Sequence, residues 1–465
     1  MEKLSIREIV AAVDGMLLSG MDDITVDSVS TNTRELSPGA LFIPIKGDKF
    51  NGHDFIENAF EAGALATLTA EHDNVELDKN RTYIKVCDTR VALQRLAAYY
   101  RSKFDMPVVG VTGSVGKTST KEMIASVLSE KFNVHKTSGN LNGQIGLPLT
   151  LLGLEAGHEV AVVEMGISEF NEMEALAEMA RPSHALLTNI GVTHIENLLT
   201  RENIFKEKFK ITSFLREEDY LFVNGDDDIL CKTQGSTAFN VISFGITNDC
   251  MFTARNLSTQ NETTRFEVLN GGACREFVIP TIGEHNVYNA LVAIAIGLSM
   301  GMTLDEIQAG LSRFKNLNMR QSIHHLSDIT LIDDTYNANP DSMKSALKVL
   351  AQLPKKGRKI AVLGDMLELG ELATSLHEEV GRVAERLGVD IVMTVGALAK
   401  AIAEGATPAV HAHIFNSNEE ASTCLKELIR PGDAVLVKGS RNMHMEEIVQ
   451  QIKAEFAAAA GVTQA

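Results

Sequence analysis

The sequence predicts an α/β protein of three domains, two of them built on parallel sheets. Three observations carry that expectation. At 465 residues the chain is too long for one ordinary core, because single cores stop growing at about 250–300 residues. Unbroken apolar strands recur from residue 106 onward, as sheets buried on both faces require. The patterning changes near residues 106 and 320, dividing the chain into 1–105, 106–320 and 321–465.

The first segment ends in RVALQRLAAYYRSKFD, whose apolar residues recur at helical spacing before Pro107 opens a β-type run. The central segment begins as strand, glycine loop and helix: PVVGV, TGSVGKTS, then TKEMIASVLSEKF with Met123, Ile124, Val127 and Leu128 on one face. Two further strands follow, one ending in Glu164 and one running into Thr188 and Asn189. The apolar run from Ala290 to Met302 is too short to span a bilayer and reads as a buried helix. Thr303 and Glu306 have capping-box spacing and open a helix reaching about Phe314. In the third segment ITLIDD, KIAVLGD, DIVMTVG and DAVLVKG alternate with helical stretches, the pattern of a doubly wound, Rossmann-like sheet. Ligands of such sheets gather at the carboxyl ends of strands.

Composition narrows the class. The chain is 45% hydrophobic and 22% charged, as expected of a soluble globular protein. Its opening residues, MEKLSIREIVAAVDGMLLSG, interrupt every apolar run with charge and do not form a signal peptide. Five scattered cysteines without CxxC spacing predict neither a disulfide framework nor a thiolate zinc site, so a reducing cytoplasm is expected. The formal charge of −18 argues against a general nucleic-acid binder but leaves a small anionic substrate open.

The run Gly113-Ser114-Val115-Gly116-Lys117-Thr118, followed by Ser119, has the parts a nucleoside triphosphate needs. Glycines let backbone amides face the phosphates, Lys117 neutralises their oxygens, and the Thr118 hydroxyl can ligate Mg²⁺. Val111 stands where the common form of this loop has its first glycine, and no NKxD-like guanine reader follows. A parallel sheet would bring Glu164 and His194 near the loop, one as a hard oxygen ligand and the other as a direct or outer metal partner. Taken singly, each also reads as an ordinary surface or structural residue. The run RENIFKEKFKITSFL reads by spacing as a solvated helix face, and nothing in its charge pattern singles out Lys208.

Together TGSVGKTST, TSGNLNGQIGLPLTLL, VVEMG, NIGVTHIE, GEHNVYNALVA, LIDDTYNANPDSM, VLGDMLELG and VKGSRNMHMEE resemble the Mur ligases, over about residues 28–447. The NANP, GDMxELG and KGSR elements are most similar to the branch that adds D-alanyl-D-alanine to a UDP-N-acetylmuramoyl tripeptide. The resemblance implies an ATP-dependent ligase: ATP phosphorylates a carboxylate, an amine attacks the acyl phosphate, and ADP and phosphate leave. It makes Lys117, His194 and Lys208 the candidate catalytic residues, with Mg²⁺ at Thr118, Glu164, His194 and Lys208. In KEKFKI, Lys208 matches the lysine that the family carbamylates.

The same resemblance assigns Asn286, Asn289, Arg320 and Asp334 to ATP. For the two asparagines a helix-start role is the competing reading. It places Asn140 and Asn142 at the active-site rim, although turn formation alone would explain GNLNG. In STNTRELSPGALFIPIKGDKFNGHDFI it points to Thr33, Arg34, Lys46, Gly47, Asn51, Gly52 and His53 as contacts of the UDP-sugar, and in KGSRNM to Arg441 and Asn442 as contacts of the dipeptide. The first domain is then the UDP-sugar domain, the second the P-loop ATP domain, and the third completes the site. A monomer without a membrane span is expected. Two alternatives stay open: another Mur or folylpolyglutamate-type ligase, or a protein that senses nucleotide without turnover.

Overall fold

The computed structural model describes residues 1–47, 49–72, 80–233, 235, 237–354, 356–406 and 410–459. The described strands form three large sheets and one two-stranded ribbon. The first large sheet has five strands in the order Met16–Ser19, Thr82–Lys85, Ala66–Thr69, Leu41–Phe42 and Val29–Ser30, parallel except for the first pair.

The helix Thr89–Arg101 starts where Asp88 accepts from the amides of Arg90 and Val91, leaving Leu93, Leu96, Ala97 and Tyr100 fully buried. Its buried face is shared. Tyr100 donates to the Leu154 carbonyl at 2.6 Å and Arg101 to the Ala180 carbonyl at 3.2 Å, so this helix of the first segment is bolted into the core of the second.

The second sheet has nine strands. Val134–Lys136, Val160–Glu164, Val108–Thr112, His184–Leu187, Tyr220–Asn224, Asn240–Gly245 and Phe252–Gln260 run parallel. Thr263–Asn270 and Ala273–Ile279 extend it antiparallel. The parallel register sets Glu164 opposite Val111 and Leu187 opposite Thr112, which puts three strand ends beside the glycine loop.

Against one face pack Lys117–Leu128, the deeply buried Glu284–Ser299 and Leu304–Arg313. The last begins with the expected capping box between Thr303 and Glu306. Its Gly310 lies so close to Lys117–Leu128 that a Cβ there would meet the Val127 Cα at 2.4 Å.

The third sheet runs Ser322–Leu326, Ile329–Asp333, Ala434–Lys438, Lys359–Gly364, Ile391–Val395 and His411–Phe415, all parallel except the first pair. Sequence pattern anticipates four of these strands. It misses the two edge strands, SIHHL and HAHIF, because edges are half solvated and carry polar residues. No described helix is long and apolar enough to cross a membrane.

Candidate functional site

The strand Val108–Thr112 runs into a loop whose conformation only glycine allows. Gly113 has φ of 147°, and a Cβ on it would lie 1.9 Å from the Thr188 Oγ1; Gly116 has φ of 84°. The next strand end braces the loop: the Ser114 amide donates to the Asn189 carbonyl at 3.0 Å, and the Val115 amide to the Asn189 Oδ1 at 2.9 Å. These two amides are therefore turned away from any ligand. Gly116 caps the helix without a side chain, so the first-turn amides from Lys117 onward are left to bind an anion. Lys117 Nζ folds back on the Gly113 carbonyl at 2.8 Å. Burial pushes its ammonium below the ordinary lysine range, Glu164 opposes that shift, and Arg320 adds to it.

Glu164 ends its strand almost fully buried. Its Oε1 accepts from Asn142 Nδ2 at 2.7 Å, while Oε2 is buried without a partner among the described residues. An orphaned carboxylate oxygen on a residue that lines the same cavity as Thr118 suits a hard cation. Among the described residues no three His, Cys, Asp or Glu side chains converge.

The helix Arg201–Phe209 corrects the solvated-face expectation. Glu207 and Lys208 are 2% and 1% exposed, and Glu207 is paired with Lys210 at 2.7 Å. Among the described residues, no hydrogen bond or ion pair engages Lys208. Burial holds its amine well below the ordinary lysine value, and Lys117 pushes the same way. Helical spacing could not reveal this, because the helix is enclosed on a face that carries charge.

A cavity of about 700 Å³ lies where the second and third segments meet. Of the candidates, Ser114 to Ser119, Asn140, Asn142, Glu164, His194, Asn286, Asn289, Arg320 and Asp334 line it, while Gly113 and Lys208 do not. The asparagines do more than start a helix. Asn286 donates to the Ile282 carbonyl at 2.8 Å, and Asn289 accepts from the Thr120 hydroxyl at 2.7 Å, tying Glu284–Ser299 to the phosphate-loop helix. Arg320 stacks over Tyr336 at 3.9 Å. Asp334 is already paired with Lys438 at 2.6 Å and accepts from the Gln321 amide at 3.1 Å.

The remaining candidates do not line the cavity. Thr33 and Arg34 form a short 3-10 turn, with Arg34 exposed. Lys46 and Asn51 both engage Glu71, and Gly47 and Gly52 shape the same turn, where their amides donate to the Phe50 and Ile45 carbonyls. His53 is buried, with Nδ1 on Asn51 and Nε2 accepting from the Ala70 amide, so its ring supports the turn and offers no free nitrogen. Arg441 and Asn442 are exposed, and Arg441 is paired with Glu446 at 2.9 Å.

Sequence reading missed Lys438, Gln321 and Glu368. Lys438 stands in the KGSR run at a strand end, which is a usable signal; the other two matter only through contacts between segments.

Family models match the chain in three successive blocks: Mur ligase family, catalytic domain, over 25–101; Mur ligase middle domain over 111–297; and Mur ligase, glutamate ligase domain, over 318–441. The chain is 39% identical to a UDP-N-acetylmuramoyl-tripeptide--D-alanyl-D-alanine ligase of Bacillus subtilis, over 97% of this chain and 99% of that protein. It is 38% identical to the Escherichia coli protein of the same name, over 93% and 94%. Among solved structures it resembles MurF from Acinetobacter baumannii, with a TM-score of 0.91 at 30% identity, covering 98% of this chain and 99% of that one. It also resembles MurF from Thermotoga maritima in complex with ADP, with a TM-score of 0.83 at 29% identity, covering 93% and 98%. Matched in all three segments and along nearly its whole length, the chain belongs to the Mur ligase family.

Proposed function

We propose that this chain is an ATP-dependent ligase that joins D-alanyl-D-alanine to UDP-N-acetylmuramoyl tripeptide, a step of peptidoglycan precursor synthesis. One observation carries the reading: a single cavity collects the phosphate loop, Glu164 with its free oxygen, Arg320 at the end of the second segment, and Asp334 and Lys438 from the third. Joining a carboxylate to an amine with ATP requires three reactants, two of them strongly anionic, to meet in one place.

In this reading the amides at the start of Lys117–Leu128 and the Lys117 ammonium take the phosphates, and Arg320 approaches from the boundary with the third segment. Mg²⁺, when bound at Thr118, Glu164 and His194, would offset charge that develops as the phosphoryl group moves. Asn142 fixes the Glu164 carboxylate through Oε1 and leaves Oε2 without a partner among the described residues. Lys208 has the environment a carbamate needs: burial disfavours its charged form, and the amine, once it has given up its ammonium proton, attacks carbon dioxide, forming an N–C bond and releasing a second proton to leave a carboxylate-like group. Thr33, Arg34, Lys46 and Asn51 hold the UDP end, and Arg441 and Asn442 guide the dipeptide. The proposal extends to a monomer working in the cytoplasm, where ATP and a UDP-linked precursor are both present.

The test measures phosphate release and product mass with ATP, Mg²⁺, D-alanyl-D-alanine and lysine-type or diaminopimelate-type tripeptides, alongside dipeptide and folate controls. A pentapeptide product supports the reading. Product only with a control substrate moves the chain to another branch of the family, and nucleotide binding without any amide product removes the ligase reading.

A further inference from the structure

The loop after the strand His184–Leu187 meets the third segment at three successive points. At Gly191, a Cβ would lie 2.3 Å from Asp341 Oδ2, so the start of the helix Pro340–Gln352 packs directly on loop backbone. Thr193 Oγ1 accepts from Asn339 Nδ2 at 2.9 Å. His194 Nδ1 lies 2.7 Å from Glu368 Oε2; the ring N–H is not aimed squarely at that oxygen, and Nδ1 has no other partner among the described residues.

The third contact joins two residues with unusual backbones. His194 has φ of 61° and Glu368 φ of 63°, a left-handed conformation that side chains with a Cβ disfavour. Two sharp turns, one in each segment, thus bring an imidazole and a carboxylate together at the edge of the cavity. His194 lines that cavity, and none of the described residues engages its Nε2.

We propose that Glu368 is a positioning residue for His194: its carboxylate takes the Nδ1 side of the ring, selects the tautomer protonated on Nδ1, and leaves Nε2 as the nitrogen that serves the site. The physical basis is general. A carboxylate on the far nitrogen of a working histidine fixes both tautomer and ring orientation. Because Glu368 and Asn339 belong to the third segment, His194 reaches its working orientation only while that segment is docked. The inference rests on the ligase reading for the use made of Nε2, but the tautomer itself does not depend on that reading.

The test uses the full-length protein labelled with ¹⁵N-histidine, free of nucleotide and metal, with the His194 signal identified by its loss in His194→Gln. Wild type and Glu368→Gln, whose amide oxygen can accept the same proton, show the Nδ1-protonated tautomer; Glu368→Ala shifts toward the Nε2-protonated form. An unchanged tautomer in Glu368→Ala, or an Nε2-protonated ring in wild type, overturns the proposal.

In turnover, Glu368→Ala lowers kcat about 10–100-fold with the KM for ATP changed less than about twofold, and Glu368→Gln recovers part of the loss. Combined with His194→Gln, Glu368→Ala adds no further loss. Fully multiplicative losses overturn the proposal. A wild type that makes no amide product sinks the ligase reading instead, and the tautomer experiment still decides the role of Glu368.

Discussion

Asn142 holds one oxygen of Glu164 at 2.7 Å and leaves the other buried without a partner among the described residues. The pair predicts graded losses. Glu164→Ala removes the free ligand and should reduce turnover by about 100-fold or more. Asn142→Ala only loosens the carboxylate and should cost about 10–100-fold, recovered in part by raising Mg²⁺. Turnover measured against Mg²⁺ concentration separates them; an Asn142→Ala enzyme with an unchanged Mg²⁺ requirement would contradict this account.

Burial distinguishes two neighbouring lysines. Lys206 is exposed, whereas Lys208 is enclosed with a depressed pKa. Lys208→Ala should lower kcat by about 100-fold or more, while Lys206→Ala stays within about twofold of wild type. A ¹³C carbamate signal should appear with labelled bicarbonate in wild type and be missing from Lys208→Ala. Equal, modest losses from the two variants would return the helix to a solvated role.

Stability should fall in mild acid, and His184 is one cause. Buried and stacked near Tyr220 and Phe222, its imidazole is pushed down to about 4 from an ordinary 6.5. The unfolded chain takes up that proton below about pH 6.5, whereas the folded chain resists until about 4. Stability from the neutral ring is therefore complete above 6.5 and lost as pH falls toward 4, up to about 3 kcal/mol. His184→Phe keeps an aromatic ring in the stack and should flatten this limb in denaturant titrations at pH 7, 5.5 and 4.5. An equally steep loss in the variant would assign the effect to other groups.

Lys438 is 3% exposed and pairs with Asp334 at 2.6 Å while donating to the Asn337 carbonyl at 2.9 Å. Lys438→Met leaves a mostly buried carboxylate unpaired and should cost about 3 kcal/mol of folding stability by chemical denaturation. Restoring charge balance with Asp334→Asn in the same chain should recover part of that loss. Arg441→Ala, which breaks only an exposed pair, should cost less than about 1 kcal/mol.

Local chemistry made much of this protein legible before any fold was known. The glycine loop between strand and helix announces itself because Gly113 has no room for a side chain, Gly116 takes a left-handed φ that glycine favours, and a helix starts directly after it. Capping residues fixed the start of Leu304–Arg313, and continuous apolar runs identified the buried parallel strands. The resemblance carried by spaced motifs named the phosphate loop from Ser114 to Ser119, Glu164, His194, Asn286, Asn289, Arg320 and Asp334, all of which line the cavity.

Tertiary structure decided what depends on partners distant in sequence. Spacing made Lys208 a solvated lysine, and enclosure by surrounding elements made it a buried amine whose charged form is disfavoured. His53, a candidate ligand contact by sequence, turned inward because Asn51 and the Ala70 amide satisfy its ring. Periodicity reports which face of one element is apolar, but desolvation and pairing are properties of everything packed around a side chain. No pattern within NIGVTHIE or GDMLELG could reveal that His194 meets Glu368, since that contact exists only when two segments 174 residues apart in the chain are folded against each other.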